Sequence, residues 1–242
     1  MVPVSIYAGL VTPAGGRPGR GSTKPERAAV ALRSDAVRNR DALIDAARSV
    51  FGRRGLSAPL DDIARQAGIG NATLYRHFPT RCDLIAAVFT SALQDVVVAA
   101  ERALDNPDPW DGFTSHVLFL CELQAKDRGM ADLLTMSIPG APDLERTRRR
   151  TQEGTARIVA RARESGDLRP DFEPEDLGIL LMANAGLIHR TADGAPTAWR
   201  RMVAYFLDSL HDGAAAGPLP PAPGLRAIRA AMANQSAHFG CT

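Results

Sequence analysis

An all-α fold is predicted by three features of this 242-residue sequence. Ala, Leu, Arg and acidic residues, most of which favour helices, fill long segments between sparse Gly and Pro. Within those segments apolar residues recur three and four positions apart, as they do on one face of a helix. No segment alternates apolar and polar residues as a half-buried strand does. We therefore predict a small N-terminal group of helices and a larger helical domain behind it.

Residues 1–34 are predicted to form a flexible basic arm, because the stretch "PAGGRPGRGSTKPER" is dense in Gly, Pro and Arg. Helical structure is expected to begin at Asp35. Residues 1–82 carry thirteen Lys or Arg against six Asp or Glu, a net charge of +7, whereas residues 83–242 carry sixteen against twenty-one, a net charge of −5. A basic N-terminal third favours a polyanionic partner such as nucleic acid.

Three helices are predicted in residues 35–80. The first, "AVRNRDALIDAARSVFGRRG", has one apolar stripe, the second, "LDDIARQAG", ends at Gly68, and the third, "NATLYRHF", is closed by Pro79. A short helix, a tight turn containing Gly and a second short helix form a helix-turn-helix, whose second helix enters the major groove of DNA. Leu74 and Phe78, four positions apart, would anchor that helix on one side and leave its polar residues to the other sides.

The segment "LDDIARQAGIGNATLYRHFPTRCDL" resembles the DNA-binding region of TetR-family transcriptional regulators in the order and spacing of its IA, AG, LY-R-HF and TR-L elements. The resemblance covers roughly residues 36–85. It implies an all-α homodimeric repressor that binds a palindromic DNA operator through residues 35–80 and releases it when a small molecule enters a second domain. Two positions depart from the family: Pro59 and Gly70 stand where a phosphate-contacting Ser or Thr is usual.

The resemblance also assigns roles within the helix-turn-helix. Asn71, Ala72, Thr73 and Arg76 are placed near base edges, Tyr75, His77 and Arg81 near phosphates, and Arg40 and Arg65 are further candidates for the DNA backbone. The side chains suit these roles, since Arg can bind a guanine edge, Asn an adenine edge and a methyl group the thymine methyl. Alternatives stay open: Arg40 and Arg65 can be solvated surface charges, and Tyr75 can be a core residue.

Residues 81–213 are predicted to form a ligand-binding and dimerisation domain. "TRCDLIAAVFTSALQDVVVAAERALD" predicts one long helix, capped by Thr80, that links the two domains mechanically. "EPEDLGILLMANAGLIHRTA" and "PTAWRRMVAYFLDSLHDG" carry apolar faces that would pair with the same helices of a second subunit. The stripe on the second of these consists of Trp199, Met202, Val203, Phe206 and Leu210. Burial of these faces within a monomer is the alternative.

A cavity between these helices is expected to hold a small, largely apolar effector. The residues predicted to line it are Phe89, Leu93, Phe113, His116, Val117, Gln124, Met136, Leu181, Met182 and Asn184. Any one of them can instead be plain core. The run from Arg148 to Arg150 is interpreted as a solvated face, and no charged cluster is expected on an inward face, which disfavours a highly charged effector.

The remaining features exclude other classes of protein. Three widely spaced Cys without a CxxC motif support neither a disulfide framework nor a metal site, and no cofactor motif occurs. The longest apolar run, "LGILLMANAGLI", falls short of the ~20 residues of a membrane span, so a cytoplasmic protein is expected. Residues 214–242 are predicted to be a Pro/Ala-rich tail with a weak helix and no assigned role. A helical enzyme, or an architectural DNA binder without a ligand, remains as the alternative function.

Overall fold

The computed structural model describes residues 24–138, 140–211, 213 and 217–237, and within these residues it is all-helical, as predicted, with one isolated β-bridge between Leu168 and His211. The helices of the described part are α1 (Lys24–Arg54), α2 (Leu60–Ala67), α3 (Asn71–His77), α4 (Arg81–Asp105), α5 (Pro109–Lys126), α6 (Arg128–Thr135), α7 (Pro142–Glu164), α8 (Pro174–Thr191), α9 (Ala198–Leu210) and α10 (Leu225–Ala237).

Helix α1 begins at Lys24 and not at Asp35, where the sequence was expected to become helical. The segment "PERAAVALRS" explains the difference, because its Pro lies in the first turn, where proline is tolerated, and its Ala, Leu and Arg favour helix. The rest of the predicted basic arm, residues 1–23, lies outside the described residues.

The chain divides into two compact units, residues Met1–Arg38 and Asn39–Thr242. In the described part of the first unit, the Arg38 guanidinium donates to the Ser34 hydroxyl at 2.6 Å and pairs with the Asp35 carboxylate. The second unit contains the remainder of α1 and all the other helices. The sequence-based boundary at residues 80 and 81 falls within this second unit and stays a prediction.

Helix α4 is the central element of the second unit and packs most extensively against α7 and α5. The Thr80 hydroxyl caps it as predicted: it accepts the Asp83 N–H at 3.1 Å, and the Asp83 carboxylate accepts the Thr80 N–H at 2.9 Å. By length and composition alone α4 could cross a membrane. Ten of its residues are buried among the other helices, however, which is the behaviour of a core helix in a folded domain.

Helices α8 and α9 show that the predicted intersubunit stripe is largely covered within the chain. Trp199, Val203 and Leu210 are buried against the protein's own core, and only Met202 and Phe206 are half-buried. Helix α8 buries one side in the core and exposes another side, which is formed by Ile179, Ala183 and Gly186. The pattern of α9 thus identified a buried face correctly but did not reveal which chain covers it.

The cysteines differ from the expectation that none is paired, because Cys82 is disulfide-bonded. Cys121 is a free thiol, and its burial raises its pKa to about 12. Within the described residues no group of three or more His, Cys, Asp or Glu side chains could hold a metal ion.

Candidate nucleic-acid interface and cavity

Helices α2 and α3 and the turn between them form the predicted helix-turn-helix. Gly68 directly follows α2 and adopts the left-handed conformation (φ 68°) that favours glycine, and the Ile69 N–H donates to the Ala64 carbonyl at 2.9 Å. Gly70 directly precedes α3 and has an extended conformation. Because Pro59 and Gly70 have no side-chain hydroxyl, they make no side-chain capping bond and offer no hydroxyl to a phosphate.

Helix α3 is held by two apolar anchors and presents its other sides to solvent. Leu74 and Phe78 are 1% and 2% exposed. A seven-residue helix is marginal in isolation, so these anchors are what hold it in place. The predicted base-edge residues Asn71, Ala72 and Arg76 are exposed, Thr73 is half-buried, and the predicted phosphate contact Tyr75 is 49% exposed and therefore not a core residue.

Two of the exposed polar residues, Asn71 and Arg65, are already paired with carboxylates of α2. The Asn71 amide donates to the Asp61 carboxylate at 2.9 Å, which ties the start of α3 to the start of α2. Arg65 lies 2.9 Å from the Asp62 carboxylate, which also accepts a hydrogen bond from Arg54. This hydrogen bond from Arg54 is the main cause that lowers the pKa of Asp62. Any contact of Asn71 or Arg65 with DNA therefore competes with a carboxylate.

The remaining predicted backbone contacts have different surroundings. The exposed Arg40 guanidinium lies 5.2 Å from the centre of the Phe78 ring and stacks beside α3. The Nε2 atom of half-buried His77 is shielded from solvent and has no hydrogen-bond partner within the described residues. Arg81 differs most from its predicted role, because its Nη1 donates to the carbonyls of Leu56 and Ala58, both at 2.8 Å, and burial lowers its pKa. Its guanidinium thus holds the loop between α1 and α2.

A cavity of about 220 Å³ lies among helices α4 to α8 and α10. Two of the predicted lining residues, Leu93 and Leu181, do line it. The others are not among its lining residues and lie elsewhere, most of them fully buried: Phe89, Phe113, His116, Val117, Gln124, Met136, Met182 and Asn184.

The buried polar residues of the predicted set serve to join helices. The Asn184 amide of α8 donates to the Gln124 side-chain carbonyl of α5 at 2.8 Å, and the Gln124 amide donates to the Leu181 carbonyl at 3.1 Å. His116 is 3.2 Å from the hydroxyl of Thr155, which lines the cavity, so the imidazole lies directly behind the cavity wall. These bonds satisfy the side-chain amide groups of Asn184 and Gln124, whereas His116 Nδ1 and Asn184 Oδ1 are buried and have no hydrogen-bond partner within the described residues.

Arg148 corrects the interpretation of residues 148–150 as a solvated face. Arg149 and Arg150 are exposed, but Arg148 is 9% exposed, donates to the Leu133 carbonyl and lines the cavity. A charged side chain therefore does lie on an inward face, contrary to the expectation from the sequence.

Two family models match the chain, one over the helix-turn-helix and one over most of the helices that follow it. The model described as bacterial regulatory proteins of the tetR family matches residues 43–88, and the model described as the C-terminal domain of SbtR-like transcriptional regulators matches residues 108–212. The chain belongs to the TetR family. It is a transcriptional regulator of that family with a DNA-binding helix-turn-helix.

Similar proteins agree with the TetR-family assignment. The chain is 26% identical over 172 residues to the HTH-type transcriptional regulator TtgR of Pseudomonas putida, an alignment that spans 65% of this chain and 82% of TtgR. It is 36% identical over 75 residues to the HTH-type transcriptional repressor LfrR of Mycolicibacterium smegmatis, which spans 31% of this chain and 37% of LfrR. A solved TetR-family structure from Agrobacterium tumefaciens shares the fold, with a TM-score of 0.55 at 19% identity over 73% of this chain and 99% of that one.

The cavity of this TetR-family protein includes residues that the sequence analysis missed. The lining residues absent from the predicted set are Leu120, Leu133, Leu134, Arg148, Thr151, Gln152, Thr155, Ala156, Pro174, Glu175, Leu177, Gly178, Ile228, Arg229 and Met232. The last three belong to α10, in the tail to which no role was assigned. The weak apolar spacing of Ile228 and Met232 was the available signal, but spacing alone does not say where a terminal helix docks.

Helix α6 connects the cavity of this TetR-family protein to its DNA-binding region. Leu133 and Leu134 line the cavity. On the same helix, the Asp132 carboxylate accepts the backbone N–H of Leu56 at 2.7 Å, just beyond the end of α1. Burial of Asp132 raises the pKa of its carboxyl, while the bond from Leu56 acts in the opposite direction.

Proposed function

We propose that the protein is a ligand-responsive, sequence-specific repressor that leaves a palindromic operator when a small, largely apolar molecule fills the cavity. The observation that carries this proposal is that α6 takes part in both sites, through Leu133 and Leu134 in the cavity wall and through Asp132 at the DNA-binding region. A ligand that prefers one position of α6 would favour one placement of α3. As a regulator that acts on DNA, the protein is proposed to work in the cytoplasm.

The base-reading role is assigned to the exposed side of α3, with Arg76 as the main reader of a guanine edge. Arg76→Ala is expected to weaken binding to the selected operator by about 1–3 kcal/mol and to relax the choice at one base position. Arg65→Ala is the matched control on α2, since a phosphate contact should weaken binding to all sequences alike and reduce the salt slope by about one. Selection from random DNA followed by salt-dependent titration measures both effects. Unchanged discrimination by Arg76→Ala would overturn its role.

The homodimer is proposed to form through α8 and α9. The exposed side of α8 carries the small residues Ala183 and Gly186, which allow close approach of another helix, and Ile179 beside them is 40% exposed. Two half-sites one turn of DNA apart require two linked recognition helices. A partner chain on this face would therefore account for both the exposed apolar side of α8 and binding to a palindrome.

Two exposed alanines allow a matched test of the dimer. Ala183→Arg on α8 should yield monomers in sizing and lose most operator affinity, because a charge would be buried at the interface. Ala160→Arg, on the exposed side of α7, should leave both properties unchanged. Identical sizing profiles and DNA affinities for the two variants would contradict the assigned interface.

The switch is tested by titrating metabolite fractions against the operator complex. A molecule that fills the cavity should lower operator affinity by about 1–3 kcal/mol, and DNA should weaken its binding by the same factor. Ala156→Phe, which fills part of the cavity from α7, should abolish this response while operator binding persists, whereas Ala160→Phe one turn later should retain it. Ligands that bind in the cavity without changing operator affinity would show that the protein is not a switch.

A further inference from the structure

Arg148 is a buried charged residue in the wall of a cavity that is lined mostly by apolar side chains. Its side chain is about nine-tenths buried. Within the described residues it makes one hydrogen bond, which its guanidinium donates to the Leu133 carbonyl. The Nε atom is buried and has no hydrogen-bond partner there. A buried guanidinium carries five N–H donors and stays charged, so unmatched donors at a cavity are costly unless a ligand meets them.

The nearest carboxylate only partly compensates this charge. Glu145 Oε1 lies 3.6 Å from Arg148 Nε, which is longer than a hydrogen bond. The same oxygen accepts the Ile138 N–H at 2.8 Å, and so caps the loop before α7. Glu145 thus has another structural task, and the charge of Arg148, whose side chain lines the cavity, is only partly compensated.

A second guanidinium reaches the same cavity from α10. Arg229 lines it and donates to the Gln152 side chain at 3.1 Å. Burial lowers the pKa of Arg148 most, Glu145 raises it, and the like charge of Arg229 lowers it further. An anion between the two guanidinium groups would relieve this repulsion. Glu175 is the acidic residue among those lining the cavity, so the lining carries two cationic side chains against one anionic.

We propose that the cavity binds a molecule with an apolar body and a single carboxylate-type anionic head, with the head at Arg148 and Arg229. The body lies among six leucines of the wall: Leu93, Leu120, Leu133, Leu134, Leu177 and Leu181. The cavity of about 220 Å³ has room for a short or medium chain. This inference rests on the proposed function of the cavity as the effector site and names the chemical class of the effector.

The test is calorimetric titration of the full-length protein, without DNA, with octanoate and with 1-octanol. The two probes share one chain and differ in the head group. Octanoate is expected to bind roughly 10- to 100-fold more tightly, because it alone offers charge-assisted hydrogen bonds to a guanidinium. Equal affinities for the two probes would overturn the proposal, and this comparison needs no variant that has to fold.

A matched pair of variants locates the head group. Arg148→Met should remove the preference for octanoate while binding of 1-octanol persists, and Arg149→Met, on the exposed side of the same helix, should keep the preference. Retention of the preference by a folded Arg148→Met protein would contradict the assignment.

Titration of the operator complex separates this inference from the proposed switch. Octanoate that binds in an Arg148-dependent manner but leaves operator affinity unchanged would support the anionic site and refute the switch. An operator complex released by 1-octanol as readily as by octanoate would support the switch and refute the anionic site.

Discussion

Lowering the pH is expected to destabilise the protein through one buried imidazole, that of His116 in α5. The residue is 2% exposed, and its Nε2 lies 3.2 Å from the Thr155 hydroxyl of α7. Burial disfavours the charged ring and lowers the pKa of His116 from 6.5 to about 4. The folded protein therefore keeps this ring neutral at pH values where the unfolded chain has already bound a proton.

The sign and size of the effect follow from this difference. Above the unfolded pKa of 6.5 the ring is neutral in both states, and the full stability is present. As the pH falls, the unfolded chain binds more protons than the folded one, so the free energy of unfolding decreases until the folded ring is protonated near its own pKa. The loss is about 2 kcal/mol between about pH 7.5 and about pH 5, and about 3 kcal/mol by about pH 4.

Urea denaturation of the wild type and of His116→Gln, each at about pH 7.5 and about pH 5, measures this loss of stability. Glutamine can still hydrogen-bond to Thr155 but does not titrate. The wild type should lose about 2 kcal/mol more than the variant. The comparison removes the contribution of carboxyl groups, which titrate alike in both proteins. Among these, burial raises the pKa of Asp132, and the hydrogen bond from Arg169 is the main cause that lowers the pKa of Asp171 to about 2. Equal losses in the two proteins would refute the reasoning.

Three other substitutions test the DNA-binding region and its contact with α6. Leu74→Ala removes the anchor of α3 and should lower the free energy of unfolding by about 2–5 kcal/mol, measured in urea, while an unchanged stability would show that α3 is held otherwise. Arg81→Ala leaves two carbonyls without their donor and should cost about 1–3 kcal/mol of stability; normal stability with weaker DNA binding would restore the phosphate role. Asp132→Ala removes the acceptor of the Leu56 N–H and should reduce the effector-dependent drop in operator affinity, and an undiminished drop in DNA titrations would exclude this contact from the coupling.

The helix-turn-helix was predictable because its signals are local. The turn follows from Gly68, the anchors from the spacing of Leu74 and Phe78, and the start of α4 from the capping residue Thr80. Each of these acts within a few residues of itself. Side-chain partners across the domain were not predictable: an exposed-type residue such as Arg81 finds its carbonyls more than twenty positions back in the chain.

The cavity was less predictable for the same physical reason. Periodicity identified Phe113 and Val117 as inward-facing, and both are buried, but burial does not distinguish plain core from the wall of a cavity. Arg148 lies within a run of three arginines, and its burial depends on a helix elsewhere in the chain offering a carbonyl at Leu133. The composition of the sequence does not indicate a hydrogen bond between side chain and backbone of two different helices.

The C-terminal helix α10 lies after every element of the helix-turn-helix in the chain, yet Ile228, Arg229 and Met232 contribute to the cavity wall. Substitutions or short exchanges in this tail would alter what the cavity accepts without touching a residue of α2 or α3. Under the proposed function, exchanges in α10 would change which effector the cavity binds, whereas the DNA-reading residues of α3 would stay the same.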